Sequence, residues 1–184
     1  MKKLTFMFKG ERNYVQGGDV YNAIDKVIGN YFIKKLVFKK FTHNHCMLVD
    51  QPPLAPNDIV ALCAVQDSSN HDKKVWIVES IEQVQDRYEF DEGVITNSAS
   101  ILNNSITLSE NTPYTTIEKI IALTKKLSYH LSPDIDGKWV FGQLDLTQRL
   151  PQNSGDIVIS RLTKPSVKFS TNRIIIDSKA YGKI

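Results

Sequence analysis

Lys35-Leu36-Val37-Phe38 returns as Lys138-Trp139-Val140-Phe141, and the reading of that recurrence decides the expected fold. Two further stretches repeat in the same order. Leu4-Thr5-Phe6 is matched by Ile106-Thr107-Leu108, and Asp58-Ile59-Val60 by Asp156-Ile157-Val158. The spacing is roughly 100 positions each time, and self-similarity at a near-constant period points to a repeated structural unit. The chain has 184 residues, long enough for two small units packed against each other.

Each half reads as strand, helix, then strands. In the first, Leu4 to Phe8 has strand character and Gly10 to Gly18 is a polar, turn-rich loop. Asp19 stands as the helix N-cap. Val20, Ala23, Ile24, Val27 and Ile28 form one apolar helical stripe, and Gly29-Asn30 ends it. Strands are expected at Lys35 to Val49, Asp58 to Val65 and Lys74 to Val84, with a turn at Ser68 to Asp72. In the second half, Ile106 to Ser109 is a strand and Thr115-x-x-Glu118 is a capping box. A helix then runs to about Leu131 on Ile117, Ile120, Ile121 and Leu127. Strands follow at Lys138 to Leu150, Asp156 to Thr163 and Ser166 to Ile176, with a turn at Lys164-Pro165. Residues 86–104 read as a linker, with an extra strand at Val94-Ile95. The units are therefore 1–85 and 105–184, α+β in class.

Bulk composition excludes several roles. With 41% apolar and 23% charged residues the chain is globular rather than disordered. A net charge of +3 is too small to argue for nucleic acid, and the one dense basic group (Lys34, Lys35, Lys39, Lys40) reads as a solvated face. No apolar run reaches the length of a membrane span, and the basic N-terminus is interrupted at Lys9 and Glu11, too early for a signal peptide. Cys46 and Cys63 lack metal-ligand spacing. The expectation is a cytoplasmic protein with no metal and no cofactor.

The element order and the repeat resemble the hotdog superfamily, in which an antiparallel sheet wraps one long helix. Two copies in one chain would make a tandem double hotdog, and the resemblance allows a homodimer of such chains. It implies an acyl-thioester ligand, carried by coenzyme A or an acyl carrier protein. It also implies thioesterase-like hydrolysis or dehydration, or else a non-catalytic module that binds an acyl chain or a protein partner. The loop from Gly10 to Ala23 looks like the active-site loop of the thioesterase branch, although Gly18-Asp19 stands where that branch keeps a glycine–histidine pair.

On that resemblance Tyr14, Asp19 and His43 are the candidate catalytic groups. Arg12, Asn13, Gly17 and Gly18 are the candidate substrate-binding ones. Arginine forks a phosphate or carboxylate, and the amides after two glycines at a helix start favour an oxyanion. His43 falls opposite Leu146 in the repeat register, so the two copies have diverged there. His45 gives a second imidazole two residues on, without a third ligand. Gln143, Asp145, Thr147 and Arg149 alternate as a strand's solvent face would. Glu118 is explained by its cap, and His130 by its place near a helix C-terminus.

Overall fold

The computed structural model of the chain describes residues 1–163 and 170–184. In chain order the first elements are β1 (Lys2–Leu4), β2 (Phe8–Lys9), α1 (Gly17–Val27), β3 (Phe32–Phe38) and β4 (Asn44–Val49). A 3-10 turn (Pro56–Asp58) leads into β5 (Ile59–Gln66), β6 (Asp72–Gln83) and β7 (Arg87–Tyr88). Then come α2 (Gly93–Thr96), β8 (Ala99–Leu102), β9 (Ser105–Leu108), α3 (Thr116–Leu131) and β10 (Gln143–Leu146). The last strands are β11 (Ile157–Arg161), β12 (Asn172–Ile176) and β13 (Lys179–Lys183). Two compact units result: residues 1–90 with 142–149, and residues 91–141 with 150–184.

In the first unit the strands lie in the order β1-β4-β6-β5-β3-β10, every neighbour antiparallel. Alternation along β5 buries Ala61, Cys63 and Val65, as a half-covered antiparallel strand should. Along β3 the buried Ile33 and Leu36 are three apart rather than two, because the ladder to β5 slips between Ile33 and Lys35. Such a bulge re-aims the residues that follow it. Helix α1 buries Val20, Tyr21 and Ile24, and it stops where Gly29 takes a φ of +66°, the left-handed conformation glycine adopts freely. The β5–β6 turn closes at Asn70, also with positive φ, where the sequence placed it. A separate parallel ribbon joins β2 to β7.

In the second unit the order is β13-β12-β11-β9-β8, again antiparallel throughout. Helix α3 lies against β9 and β11 and buries Ile117, Ile120, Leu123 and Leu127. Lys119 is wholly buried on the same helix. Its ammonium donates to Asn111 Oδ1 (3.2 Å), to Asn153 and to the Ser154 carbonyl (2.8 Å), which ties two turns to the helix. Burial pushes the pKa of Lys119 down.

These units are not two tandem hotdogs, each with a sheet wrapped around one long helix. Among the described residues the chain is mostly antiparallel sheet with three short α-helices, of 11, 4 and 16 residues. Helix α1 is about 16 Å long at 1.5 Å per residue, whereas the 12-residue β6 runs about 40 Å, so α1 cannot be the axis of that sheet. Nor do the repeated segments occupy matching places. β9 pairs with β11, but their sequence counterparts do not pair: β1 lies beside β4, while β5 lies between β6 and β3. Lys138–Phe141, the match to β3, is in no strand at all.

Local expectations shift accordingly. Lys35 to Val49 is two strands broken over 39–43, where the amides of Lys39 and Lys40 both turn to the Val60 carbonyl. Lys138 to Leu150 contracts to β10. Val94-Ile95 is helical, and the extra strand lies at β8 instead. The turn at Lys164-Pro165 and the strand start at Ser166 to Phe169 fall outside the described residues. No described helix is long and apolar enough to cross a membrane.

Candidate functional site at the start of the first helix

The first unit gathers the candidate residues around the N-terminus of α1. Gln16 is the N-cap and makes no side-chain capping bond. Asp19 is therefore not the cap expected from sequence but the third residue of the helix. Gly17 and Gly18 hold the first two helical positions, whose amides have no intrahelical acceptor, and Gly18 is buried. The amides of Asp19 and Val20 turn to the Gln16 carbonyl, at 3.0 and 3.1 Å.

Asp19 is held from below. Tyr88, on β7, donates its hydroxyl to Asp19 Oδ1 at 2.8 Å. Lys9, on β2, brings its ammonium to 3.4 Å from the same oxygen, with its side chain 5% exposed. The ammonium also lies 4.2 Å from the centre of the Phe90 ring and 5.6 Å from that of Tyr88, within cation–π range. The sequence reading missed Lys9, Tyr88 and Phe90. Their only signal was a lysine interrupting an apolar run, because nothing local announces the parallel pairing of β2 with β7.

The loop before the helix is clamped along its length. Arg87 donates to the carbonyls of Gly10 and Arg12, the latter at 2.9 Å. The Val15 amide donates to the Thr42 carbonyl at 2.9 Å. His43 meets the Asn13 carbonyl through Nδ1. A carbonyl only accepts, so this nitrogen carries the proton and the neutral ring keeps its lone pair on Nε2. Tyr14 packs on Phe41, ring centres 4.7 Å apart, and Phe41 is exposed. Arg12, Asn13, Tyr14, Gly17, Gly18, Asp19 and His43 thus belong to one stretch and the segment that braces it. His43 itself lies in the exposed break between β3 and β4, whereas its repeat counterpart Leu146 is buried in β10.

A second cluster braces that break. Buried Thr42 donates to Glu79 Oε1 and Lys40 donates to Glu79 Oε2, each at 2.5 Å. Burial raises the Glu79 pKa, but these two hydrogen bonds outweigh it and hold the carboxyl below its ordinary value. Beside it Cys46 is pushed up to about 12, by burial first and then by Glu79, and Cys63 is pushed up to about 12 by burial alone. Both thiols are inert core groups rather than nucleophiles.

His45 points elsewhere, accepting the Phe6 amide on Nδ1 at 3.1 Å. Among the described residues, no three His, Cys, Asp or Glu side chains come together as a metal site requires. Of the row on the second half, Arg149 pairs with Asp25 at 3.0 Å and Lys35 with Asp145 at 3.3 Å, which is surface chemistry. Glu118 accepts from both the amide (2.9 Å) and the hydroxyl (2.8 Å) of Thr115, a capping box as the sequence indicated. No family model, curated protein or solved structure matches this chain.

Proposed function

We propose that the first unit binds acyl thioesters of coenzyme A or an acyl carrier protein at the start of α1. The observation that carries this reading is the helix start without a side-chain cap, with Gly17 and Gly18 at its first two positions. Main-chain amides there suit a thioester carbonyl, whose oxygen gains negative charge as its carbon is attacked. A clamped loop supports the reading too, since donors held in place need no reorganisation when charge develops. Arg12 supplies a cation for the anionic part of the carrier and Tyr14 an aromatic flank.

His43, with its lone pair on Nε2, is the base that hydrolysis or dehydration would use. Asp19, already held by Tyr88 and Lys9, orients the helix start rather than attacking. That engagement of Asp19 favours the second reading, a binding module without turnover. A cytoplasmic location goes with this proposal.

Calorimetric titration with a panel of acyl-CoAs tests it. Binding should be lost in Arg12→Ala with the melting temperature unchanged, because a loop arginine carries little of the fold. Release of free thiol from a bound acyl-CoA separates turnover from binding, and His43→Ala should abolish that release. If no acyl-CoA binds, or if binding survives Arg12→Ala combined with Tyr14→Phe, the loop is not the site.

A further inference from the structure

The inward face of the second unit carries a cation that its surroundings leave incompletely used. Alternation along β11 points Ile157, Ile159 and Arg161 to the same buried face, and along β12 it does the same for Asn172, Ile174 and Ile176. Arg161 and Asn172 are direct cross-strand partners. The guanidinium is therefore placed inside an aliphatic layer, 7% exposed, with Asn172 fully buried beside it.

A guanidinium has five N–H groups. Here Nε donates to Asn172 Oδ1 at 2.8 Å and Nη2 donates once to Ser128 Oγ at 2.9 Å. Nη1 is buried and has no acceptor among the described residues. No ion pair joins Arg161 to a carboxylate among the described residues, and residues 164–169 contain no acid. A buried charge without a counter-ion is costly, and an unused buried donor calls for an explanation.

Two more polar atoms stand on the same helix face as Ser128. Thr124, Ser128 and Ser132 follow one another at four-residue spacing, so they stand on one face of α3 and its last turn. The hydroxyls of Thr124 and Ser132 are buried without a partner among the described residues, one helical turn before and after the Ser128 hydroxyl that holds Nη2. Over the guanidinium lies the ring of Trp139, 5.9 Å from its carbon. Trp139 is only half-buried and belongs to a stretch, 132–141, with neither helix nor strand.

We propose that Arg161 anchors a carboxylate site in the second unit, taking a monocarboxylate with an apolar body. Nη1 and the spare hydrogen of Nη2 form the end-on fork that fits the two oxygens of a carboxylate. The hydroxyls of Thr124 and Ser132 supply flanking donors. The aliphatic layer and the Trp139 ring suit a hydrocarbon body and do not suit a hydrated tetrahedral phosphate. Trp139 is the cover that moves when the ligand enters. This site stands independently of the one at α1.

The chain has two tryptophans, so Trp76→Phe leaves Trp139 as the sole reporter. Octanoate should shift its emission saturably, octan-1-ol should not, and Arg161→Lys should weaken the octanoate response at least tenfold while the protein stays folded. Equal responses to octanoate and octan-1-ol, a response to inorganic phosphate as strong as that to octanoate, or no response to any of the three would each overturn the proposal. Should Arg161→Lys fail to fold, the wild-type comparison of octanoate with octan-1-ol still decides it.

Discussion

Helices α1 and α3 each have a carboxylate at their third position, Asp19 and Glu118, yet the two are used in opposite ways. In α3 the carboxylate of Glu118 folds back on Thr115 and consumes the donors of its own N-cap. In α1 the carboxylate of Asp19 turns away from the cap, to Lys9 and Tyr88, and Gln16 caps nothing. Thr115 has a short side chain that bonds at close range, while α1 begins on two glycines with none. A closed start serves stability. An uncapped start leaves its first amides without a side-chain acceptor.

The sharpest way to break this comparison is to ask whether the helices matter equally to the fold. Ile24 and Ile120 are both fully buried, so Ile→Ala at either should cost about 2–5 kcal/mol on urea unfolding. A loss under half a kcal/mol at one of them, on the same scale, would mean that its helix does not cover a core.

A smaller effect separates the two starts directly. Thr115→Ala should destabilise by about 1 kcal/mol, and Gln16→Ala should cost less than about 0.5 kcal/mol, since Gln16 gives no capping bond. Conversely, Gln16→Asp should install a cap, raise the melting temperature and weaken acyl-CoA binding by competing for the same amides. If Gln16→Ala matches Thr115→Ala, the start of α1 is not open.

The smallest effect is a pH dependence confined to the brace of the first unit. Glu79 titrates lower in the folded protein than in the unfolded chain. Its contribution to stability is therefore fully present above about pH 4.5, the ordinary glutamate range. It is lost as the pH falls through the folded value. Glu79→Gln should flatten that part of the acid limb in a series of urea titrations. An unchanged acid limb would show that Lys40 and Thr42 do not hold this carboxyl.

Much of the local structure was legible. The stripe Val20 to Ile28, the Gly29 stop, the Thr115–Glu118 box, the turn at Asn70 and the strands β5, β6 and β9 follow from short-range rules, because caps, turns and helical periodicity act over a few residues. Of the candidate site, the loop of Arg12 to Gly18 reads as a polar stretch before a helix, while His43 stands out only by its repeat register against Leu146. Lys9 and Tyr88 were not legible, since a two-residue parallel ribbon leaves no periodic trace. Arg161 was passed over for a related reason. It follows Ile157 and Ile159 in a plain alternation, and nothing in that pattern tells an inward arginine from one at a strand's exposed end.

The repeat misled most. Segments of three or four residues recur wherever strands of similar composition recur, and they carry no information on pairing. By itself, then, the sequence determined local structure only: the apolar stripe and stop of α1, the cap of α3, the turn at Asn70 and the strands β5, β6 and β9. Pairing partners, the length of each helix against its sheet, the turning of Asp19 toward Lys9 and the burial of Arg161 opposite Asn172 were decided by the tertiary structure. The reason is physical: residues far apart in the chain meet only when strands choose neighbours, and that choice is made by the whole buried surface at once.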